Sequence, residues 1–457
     1  MLTVRLGETS MFHGDGATCG GRSAPNKGQL YRSTWSSSAS RREVTRPQVD
    51  ANSATRRDVN VPRRRCHLWR PQCSQPRTAV SLYLELVGLA QEHYRRVCYY
   101  GPVHHVKPNF NDLDLKLCTH IIYGFSKVGD DNTLVAAKPE DEDRYKAFNE
   151  HVQRYNKETE ASLQVKTLLC VSKGAFPTMV ATFENRTTFI QSALKKLNEW
   201  GGFGGLDVDW EFPNMRNDHP DDKDNFKDFL QEARREFNKE NKMLTVALPT
   251  RVKYIEHGFQ GPTAKNEVVQ SLSESVDFAS IMTYDYNVYN EIYRRYVGPN
   301  APLYNWSSNT NKYAMDETRY IEYTAHYWEN LGLPKSKTNI GIPLFGRQFE
   351  LVDEKKHSFL DNATRDKSVR YNWTCNFIRG GATEEYEAKS RTPYAYRNKV
   401  WVSFDNEKSI GEKVKWIKDN GYIGAMSYGL TYDDMYGNCS TGKKFPLQSV
   451  IYEHMKN

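Results

Sequence analysis

A chain of 457 residues holds enough material for one large domain with an insertion or for two domains, and 38% hydrophobic residues with 12% aromatics is the make-up of a globular enzyme. No run of roughly 18 apolar residues occurs, so no membrane span is expected. The net charge of +7 hints at nucleic acid until it is located: residues 1–97 carry 16 Lys and Arg against 7 Asp and Glu, while the remainder carries 47 against 49. No base-reading motif accompanies the arginines, so a nucleic-acid partner is not expected either.

Residues 1–95 read as a basic N-terminal arm. Its first 78 residues are rich in Ser, Arg, Thr and Pro, include Arg63-Arg64-Arg65 and keep no lasting hydrophobic period, which is the composition of a disordered segment. Residues 79–90 have the apolar character of a signal-peptide core, but Glu85 interrupts it and it lies far inside the chain. It reads as a degraded signal segment or as a short helix packed on the folded body.

From residue 96 the pattern changes to short β-rich runs alternating with amphipathic stretches. Candidate strands are Arg96–Tyr100, His120–Phe125, Lys166–Val171, Leu206–Glu211, Leu244–Leu248, Phe278–Tyr284, Asn339–Leu344 and Ile423–Tyr428. Helical patterns between them include Asp224–Asn241, Met315–Leu331 and Ser409–Asn420. Eight strands alternating with helices imply an α/β protein with parallel pairing, and at this length a (β/α)8 TIM barrel over residues 96–457; a doubly wound open sheet is the alternative. About eighty residues separate the last two strands, far more than a loop needs. Within them 394–397 and 399–404 read as antiparallel strands, so a small inserted α+β subdomain is expected at 347–412. The chain ends directly after its last helix, and no separate binding module is expected there.

Eight cysteines divide between the arm (Cys19, Cys66, Cys73) and the body (Cys98, Cys118, Cys170, Cys375, Cys439). No Cys-x-x-Cys spacing suggests zinc. Asn-x-Ser/Thr sequons at Asn185, Asn305, Asn362, Asn372 and Asn438, together with pairable cysteines, point to a secreted glycoprotein.

The most informative stretch is Gly204-Gly205-Leu206-Asp207-Val208-Asp209-Trp210-Glu211-Phe212-Pro213. Successive side chains of a strand point to opposite faces, so Asp207, Asp209 and Glu211 share one face while Leu206, Val208, Trp210 and Phe212 share the other. A solvated strand edge would also carry acids, but its second face would not be large and apolar. Acids crowded into a partly dry site repel, so at least one keeps its proton near neutral pH. Glu211, the last before Pro213, is placed like a proton donor at a barrel mouth. Three further constellations end candidate strands: Met282-Thr283-Tyr284-Asp285-Tyr286, Gly341-Ile342-Pro343-Leu344-Phe345-Gly346-Arg347, and Gly424-Ala425-Met426-Ser427-Tyr428 followed by Tyr432-Asp433-Asp434. Taken alone, a Tyr beside a carboxylate is often a satisfied core hydrogen bond, and a lone Arg a surface ion pair.

The acidic stretch resembles the signature Asp-x-x-Asp-x-Asp-x-Glu of glycoside hydrolase family 18, the chitinases and chitinase-like lectins, over about residues 96 to 457. Gly204 stands where that pattern begins with Asp; the last three acids are intact. The Met282 and Gly341 segments are similar to the family's Met-x-Tyr-Asp and Gly-x-Pro-x-Tyr-Gly-Arg, with Phe345 for Tyr. Tyr428 stands where the family usually has the Trp under the cleaved sugar. The resemblance implies Glu211 as general acid and base, Asp209 and Asp207 sharing a proton beneath it, and Tyr284 on the substrate's acetamido oxygen. It implies sugar contacts from Met282, Asp285, Arg347, Tyr428 and Tyr100, disulfides Cys98–Cys118 and Cys375–Cys439, and a secreted, extracellular monomer that needs no cofactor and no metal. Family 18 is an exception to two-carboxylate retention, because the substrate's own acetamido group is the nucleophile.

The departures concern grip. Cys170-Val171-Ser172-Lys173-Gly174 replaces a family small-x-Gly-Gly-Trp, adding a lysine near the acids; Val103 and Tyr289-Asn290 fall where cleft tryptophans are common. Each lost stacking contact costs on the order of 1 kcal/mol. Two functions follow: hydrolysis of β-1,4-linked N-acetylglucosamine polymers or oligomers (chitin), or a chitinase-like lectin that binds them with little turnover. Retention of Glu211 favours the enzyme. For the arm, a chain starting near residue 90 is expected to melt and bind sugar like the full one; a large drop in melting temperature would show that residues 1–78 are structural.

Overall fold

The computed structural model describes residues 94–101, 109–215, 219–260, 266–306, 317–439 and 442–456. The expectations for the N-terminal arm, the 79–90 segment, Cys19, Cys66, Cys73 and Val103 lie outside these residues. Along the chain the strands are β1 (Arg95–Tyr100), β2 (His120–Val128), β3 (Leu134–Ala136), β4 (Lys166–Gly174), β5 (Gly205–Asp209), β6 (Met243–Leu248), β7 (Phe278–Ile281), β8 (Thr338–Pro343), β9 (Phe345–Leu351), β10 (Ala363–Arg370), β11 (Thr383–Glu387), β12 (Thr392–Arg397), β13 (Val400–Ser403) and β14 (Gly424–Tyr428).

Neighbouring strands run β1-β14-β8-β7-β6-β5-β4-β2, and β1 also pairs with β2, so eight parallel strands close on themselves. That closure, with Cys98 beside Ile121 on one side and Ser427 on the other, decides for the (β/α)8 barrel over an open sheet. β3 is an antiparallel addition to β2. The barrel strands are buried along nearly their whole length, as helix-covered parallel strands must be.

Helices α1 (Asp141–Lys157), α2 (Phe176–Ala181), α3 (Phe183–Glu199), α4 (Asp222–Lys239), α5 (Val252–Phe259), α6 (Glu267–Ser275) and α7 (Ile321–Asn330) fall between barrel strands. α4 buries Phe226, Phe229, Leu230, Ala233 and Phe237, an i, i+3, i+4, i+7 stripe. The last barrel helices are α9 (Glu407–Asp419) and α10 (Pro446–Met455), with α8 (Tyr371–Arg379) inside the long connection. α9 starts on a capping box in which Asn406 and Ser409 bond each other's backbone N–H. The helix expected from Met315 runs from Ile321; residues 307–316 are outside the described set.

Between β8 and β14 a five-stranded antiparallel sheet, ordered β10-β9-β13-β12-β11, forms with α8. It has its own apolar centres, one of them Phe349, Leu351 and Trp401 with Val297 from the loop after β7. Disulfide Cys98–Cys118 joins β1 to the entry of β2, and Cys375–Cys439 joins α8 to the segment after β14; Cys170 is a buried free thiol. Among the described residues no helix is long and apolar enough to cross a membrane.

Cys375–Cys439 closes 64 residues and ties the inserted sheet to the barrel. Replacing Cys375 by Ser is expected to lower stability by about 2–5 kcal/mol in chemical denaturation. Alkylation of the unreduced protein should reach Cys170 only after unfolding.

Candidate active site

A cavity of about 1220 Å³ opens at the C-terminal ends of the barrel strands, the end where barrels of this type carry their chemistry. β5 delivers the acids. Register with its neighbours sets their surroundings: Asp207 lies beside Cys170 of β4 and Thr245 of β6, and Asp209 beside Ser172. Gly205 lets β5 and β6 meet, because a Cβ there would stand 2.3 Å from the Met243 carbonyl oxygen.

Asp207 is fully buried. The Tyr99 hydroxyl donates to its Oδ2 at 2.6 Å and the Thr245 hydroxyl to its Oδ1 at 2.5 Å. Burial raises its pKa, and these two donors with the Cys170 thiol pull it back. Asp209 has no such compensation. Burial, then Glu211, then Asp207 push its pKa well above the usual carboxylate range, with only the Ser172 hydroxyl opposing. Its Oδ1 is buried without a hydrogen-bond partner. The donors therefore favour negative charge on Asp207 and a proton on Asp209.

β5 ends at Asp209, so Glu211 lies just past the strand instead of within it. It lines the cavity and is solvent-exposed. Desolvation by the walls and repulsion from Asp285 raise its pKa, while the Lys173 ammonium lowers it. Lys173 lines the same space and takes a left-handed φ of 85°, and Gly174 follows at 97° where a Cβ would strike the Val128 carbonyl oxygen. On the opposite face Trp210 stacks on Phe176 of α2 at 5.3 Å, as the alternation predicts. Phe212 departs from it: it stacks on Tyr254 at 5.2 Å and joins the cavity wall.

β7 ends at Ile281, earlier than expected, because tight backbone bonds from Thr283 to Ile281 and from Tyr284 to Met282 break the ladder. Met282, Tyr284 and Asp285 all reach the cavity. Asp285 takes a left-handed φ of 55°, which Asp tolerates, and its N–H donates to Asn300 Oδ1 at 3.2 Å. Burial, before neighbouring charges, raises the Tyr284 pKa, so it stays a phenol.

Tyr428 centres an aromatic floor, with ring centroids 5.6 Å from Tyr99, 5.8 Å from Tyr284, 6.1 Å from Phe345 and 6.0 Å from Tyr432. Arg347 ion-pairs with Asp285 and, at 3.3 Å, with Asp366, so it braces the wall and is not itself among the cavity-lining residues. Tyr100 is not at the cavity. It is 1% exposed and packs on Phe148, Tyr123 and Phe110, because on β1 it alternates with Tyr99, which faces the acids. Tyr99, Thr245, Tyr254, Arg251 and Arg294 escape sequence reasoning; cross-strand register is the signal for Thr245 and strand alternation the one for Tyr99. Among the described residues no cluster of metal-binding side chains occurs.

Comparison with known proteins agrees with this geometry. The family model for glycosyl hydrolases family 18 matches residues 95–433. Chitotriosidase-1 of Mus musculus is 31% identical over 366 residues, 75% of this chain and 73% of that protein. The oviduct-specific glycoprotein of Sus scrofa is 30% identical, over 81% and 71% respectively. The solved Group IV chitinase of Ostrinia furnacalis superposes with a TM-score of 0.71 at 27% identity, covering 80% of this chain and 100% of that one. Barrel, acidic strand and family match converge: this chain is a chitinase or chitinase-like member of the glycosyl hydrolases of family 18.

Proposed function

We propose that the protein hydrolyses β-1,4-linked N-acetylglucosamine oligomers or chitin with retention, using the substrate's acetamido group as nucleophile. The observation that carries this is the pairing of a buried, unpartnered Asp209 Oδ1 with an open Glu211 whose pKa is raised. An acetamido N–H over the Tyr428 floor supplies the partner that Asp209 lacks. Tyr284 holds the acetamido oxygen as that oxygen attacks C1. The C1–O bond breaks and Glu211 gives its proton to the leaving oxygen. Asp209 stabilises the oxazolinium ion formed, yielding its proton toward Asp207, whose Tyr99 and Thr245 partners are hydroxyls that can reorient. Glu211, now a carboxylate, takes a proton from water, whose hydroxyl closes on C1 from the face the aglycone left as the bond from C1 to the acetamido oxygen breaks, which restores the acetamide and lets the proton return from Asp207 to Asp209. Met282, Asp285, Tyr428 and Arg347 complete the pocket, Arg347 through Asp285. The Group IV chitinase of Ostrinia furnacalis was also solved with allosamidin, at 28% identity to this chain. Paired cysteines and sequons support secretion; Asn185 is one whose side chain is engaged, donating to Thr178 O at 2.8 Å. We read the protein as an extracellular monomer with no cofactor.

A lectin is the second reading, favoured by Lys173 where the family signature has glycine and by tyrosine where it has cleft tryptophans. Turnover of a fluorogenic N-acetylglucosamine oligomer separates the two. Glu211→Gln is expected to lower kcat by about 10²–10⁴-fold with affinity largely kept, and Asp209→Asn to cripple kcat too. No wild-type turnover between about pH 3 and 9, with binding intact, establishes the lectin.

The pH profile carries its own prediction. Glu211 must be protonated to act as an acid, so kcat/KM falls as pH rises through its raised pKa. Lys173 stabilises the Glu211 carboxylate. Lys173→Gln therefore raises that pKa and moves the alkaline limb to higher pH. An unmoved or acid-shifted limb removes Glu211 from the role.

A further inference from the structure

The cavity wall carries more positive charge than the chemistry of a neutral sugar uses. Arg251 follows β6, and Arg294 closes a tight hairpin after β7 in which Asn290 and Arg294 exchange backbone hydrogen bonds. Both line the cavity. The Arg251 guanidinium lies over Tyr254 at 5.7 Å and donates to the Asp285 carbonyl oxygen at 3.2 Å. Arg294 Nη1 is buried with no hydrogen-bond partner among the described residues. Burial, followed by repulsion from Arg251 and Arg319, pushes the Arg294 pKa down to about 10, with only Tyr296 and Tyr254 opposing. The two cavity-lining guanidiniums are thus held close, partly dry, and outside ion-pair reach of any described carboxylate. That arrangement costs free energy unless an anion joins it.

Lysines stand across the acids. In barrel order β2, β4, β5, β6 and β7, the charged residues that reach the cavity from the strand ends include Lys127, then Lys173, then the acids Asp209 and Glu211, then Arg251, then Asp285 and Arg294. A chain lying over Glu211 therefore meets cations on both sides. Of the cavity's other acids, Asp141 is bound to Arg144 at 3.0 Å and Asp285 to Arg347, which leaves Asp285 only a partial offset to burial at Arg251.

We propose that Arg251 and Arg294 form an anion subsite in the cleft, and that the glycan taken there is an N-acetylhexosamine chain bearing carboxylate or sulfate groups on the sugars flanking the one at Glu211. The acetamido group still docks at Asp209, while a neighbouring carboxylate or sulfate accepts from the guanidiniums of Arg294 and Arg251, whose planar forks suit such oxygens. The exposed hairpin tip, Ile292 and Tyr293, offers apolar area to the next sugar outward.

This substrate class rests on the glycosidase reading above, and the test separates the two. Binding of a hyaluronan octasaccharide (carboxylate only), a chondroitin sulfate octasaccharide (carboxylate and sulfate) and a neutral N-acetylglucosamine hexamer is measured by calorimetry on the full chain carrying Glu211→Gln, at about 50 and about 300 mM salt. An acidic oligomer is expected to bind at least about tenfold tighter than the neutral one at low salt, and to lose most of that margin at high salt, with the neutral ligand indifferent. Whichever acidic probe binds tighter identifies the group preferred. Adding Arg251→Gln and Arg294→Gln should bring the acidic oligomer down to the neutral one's affinity, with the melting temperature confirming the fold; the salt series on the chain with both arginines stands whether or not that variant folds. Equal affinities, a tighter neutral ligand, or a preference that survives loss of both arginines overturns the subsite. If the wild type cleaves the neutral hexamer while acidic oligomers gain nothing, this inference falls and the glycosidase stands. If acidic oligomers bind through the arginines but no oligomer is cleaved, the glycosidase falls and the subsite stands.

Discussion

The cleft depends on keeping Asp207 and Asp209 ionisable inside a closed barrel. Two residues apart on a strand, their backbone positions lie roughly 6.6 Å apart, and two full charges at that spacing would repel by about 2–3 kcal/mol at an effective dielectric near 20. That is about two pKa units. One proton must remain, and its location is decided by hydroxyls. Tyr99 and Thr245 both donate to Asp207, so they favour the charge there and the proton on Asp209. Removing either hydroxyl would strand a buried oxygen as well as change the balance, so the network shapes chemistry and fold together.

Barrel closure supplies that network. Asp207 is flanked by Cys170 and Thr245 in register, while Tyr99 reaches across from β1, 108 residues away in sequence. Only a cylinder brings β1 opposite β5. An open sheet with the same strands would keep Thr245 beside Asp207 but leave it without the Tyr99 hydroxyl. The fold and the ionisation state of the site are therefore one constraint, which is why the acid pair and the small residue Gly205 occur on the same strand.

The eight strands are legible because helix-covered parallel strands read as short apolar runs, and the acids stand out because they interrupt one. The ends of strands are less legible. Glu211 leaves the ladder after Asp209, and Met282–Asp285 leave it after Ile281, the second through local backbone bonding that alternation does not encode. Tyr99 and Tyr100 differ only in which face of β1 they take. The resemblance points to Tyr100, and the inward one is Tyr99. Arg251 and Arg294 lie on loops after different strands, 43 positions apart, and their approach is a tertiary fact with no periodicity behind it.

The same electrostatics connects the acids to the cations around them. On the glycosidase reading proposed above, the acid must hold a proton at working pH, and desolvation and Asp285 push Glu211 toward that state against the pull of Lys173. Arg347 neutralises part of Asp285 and so weakens one of the forces that keep Glu211 protonated. The arginines of the far wall act on ligands more than on Glu211, because burial dominates the state of both, with Asp285 only a partial offset at Arg251. A bound anion near them would add negative potential at Glu211 and raise its proton affinity further. On the proposed reading, ligand charge and acid strength are then coupled: the glycan that relieves Arg294 also raises the proton affinity of Glu211, and a neutral sugar leaves it as desolvation and Asp285 set it.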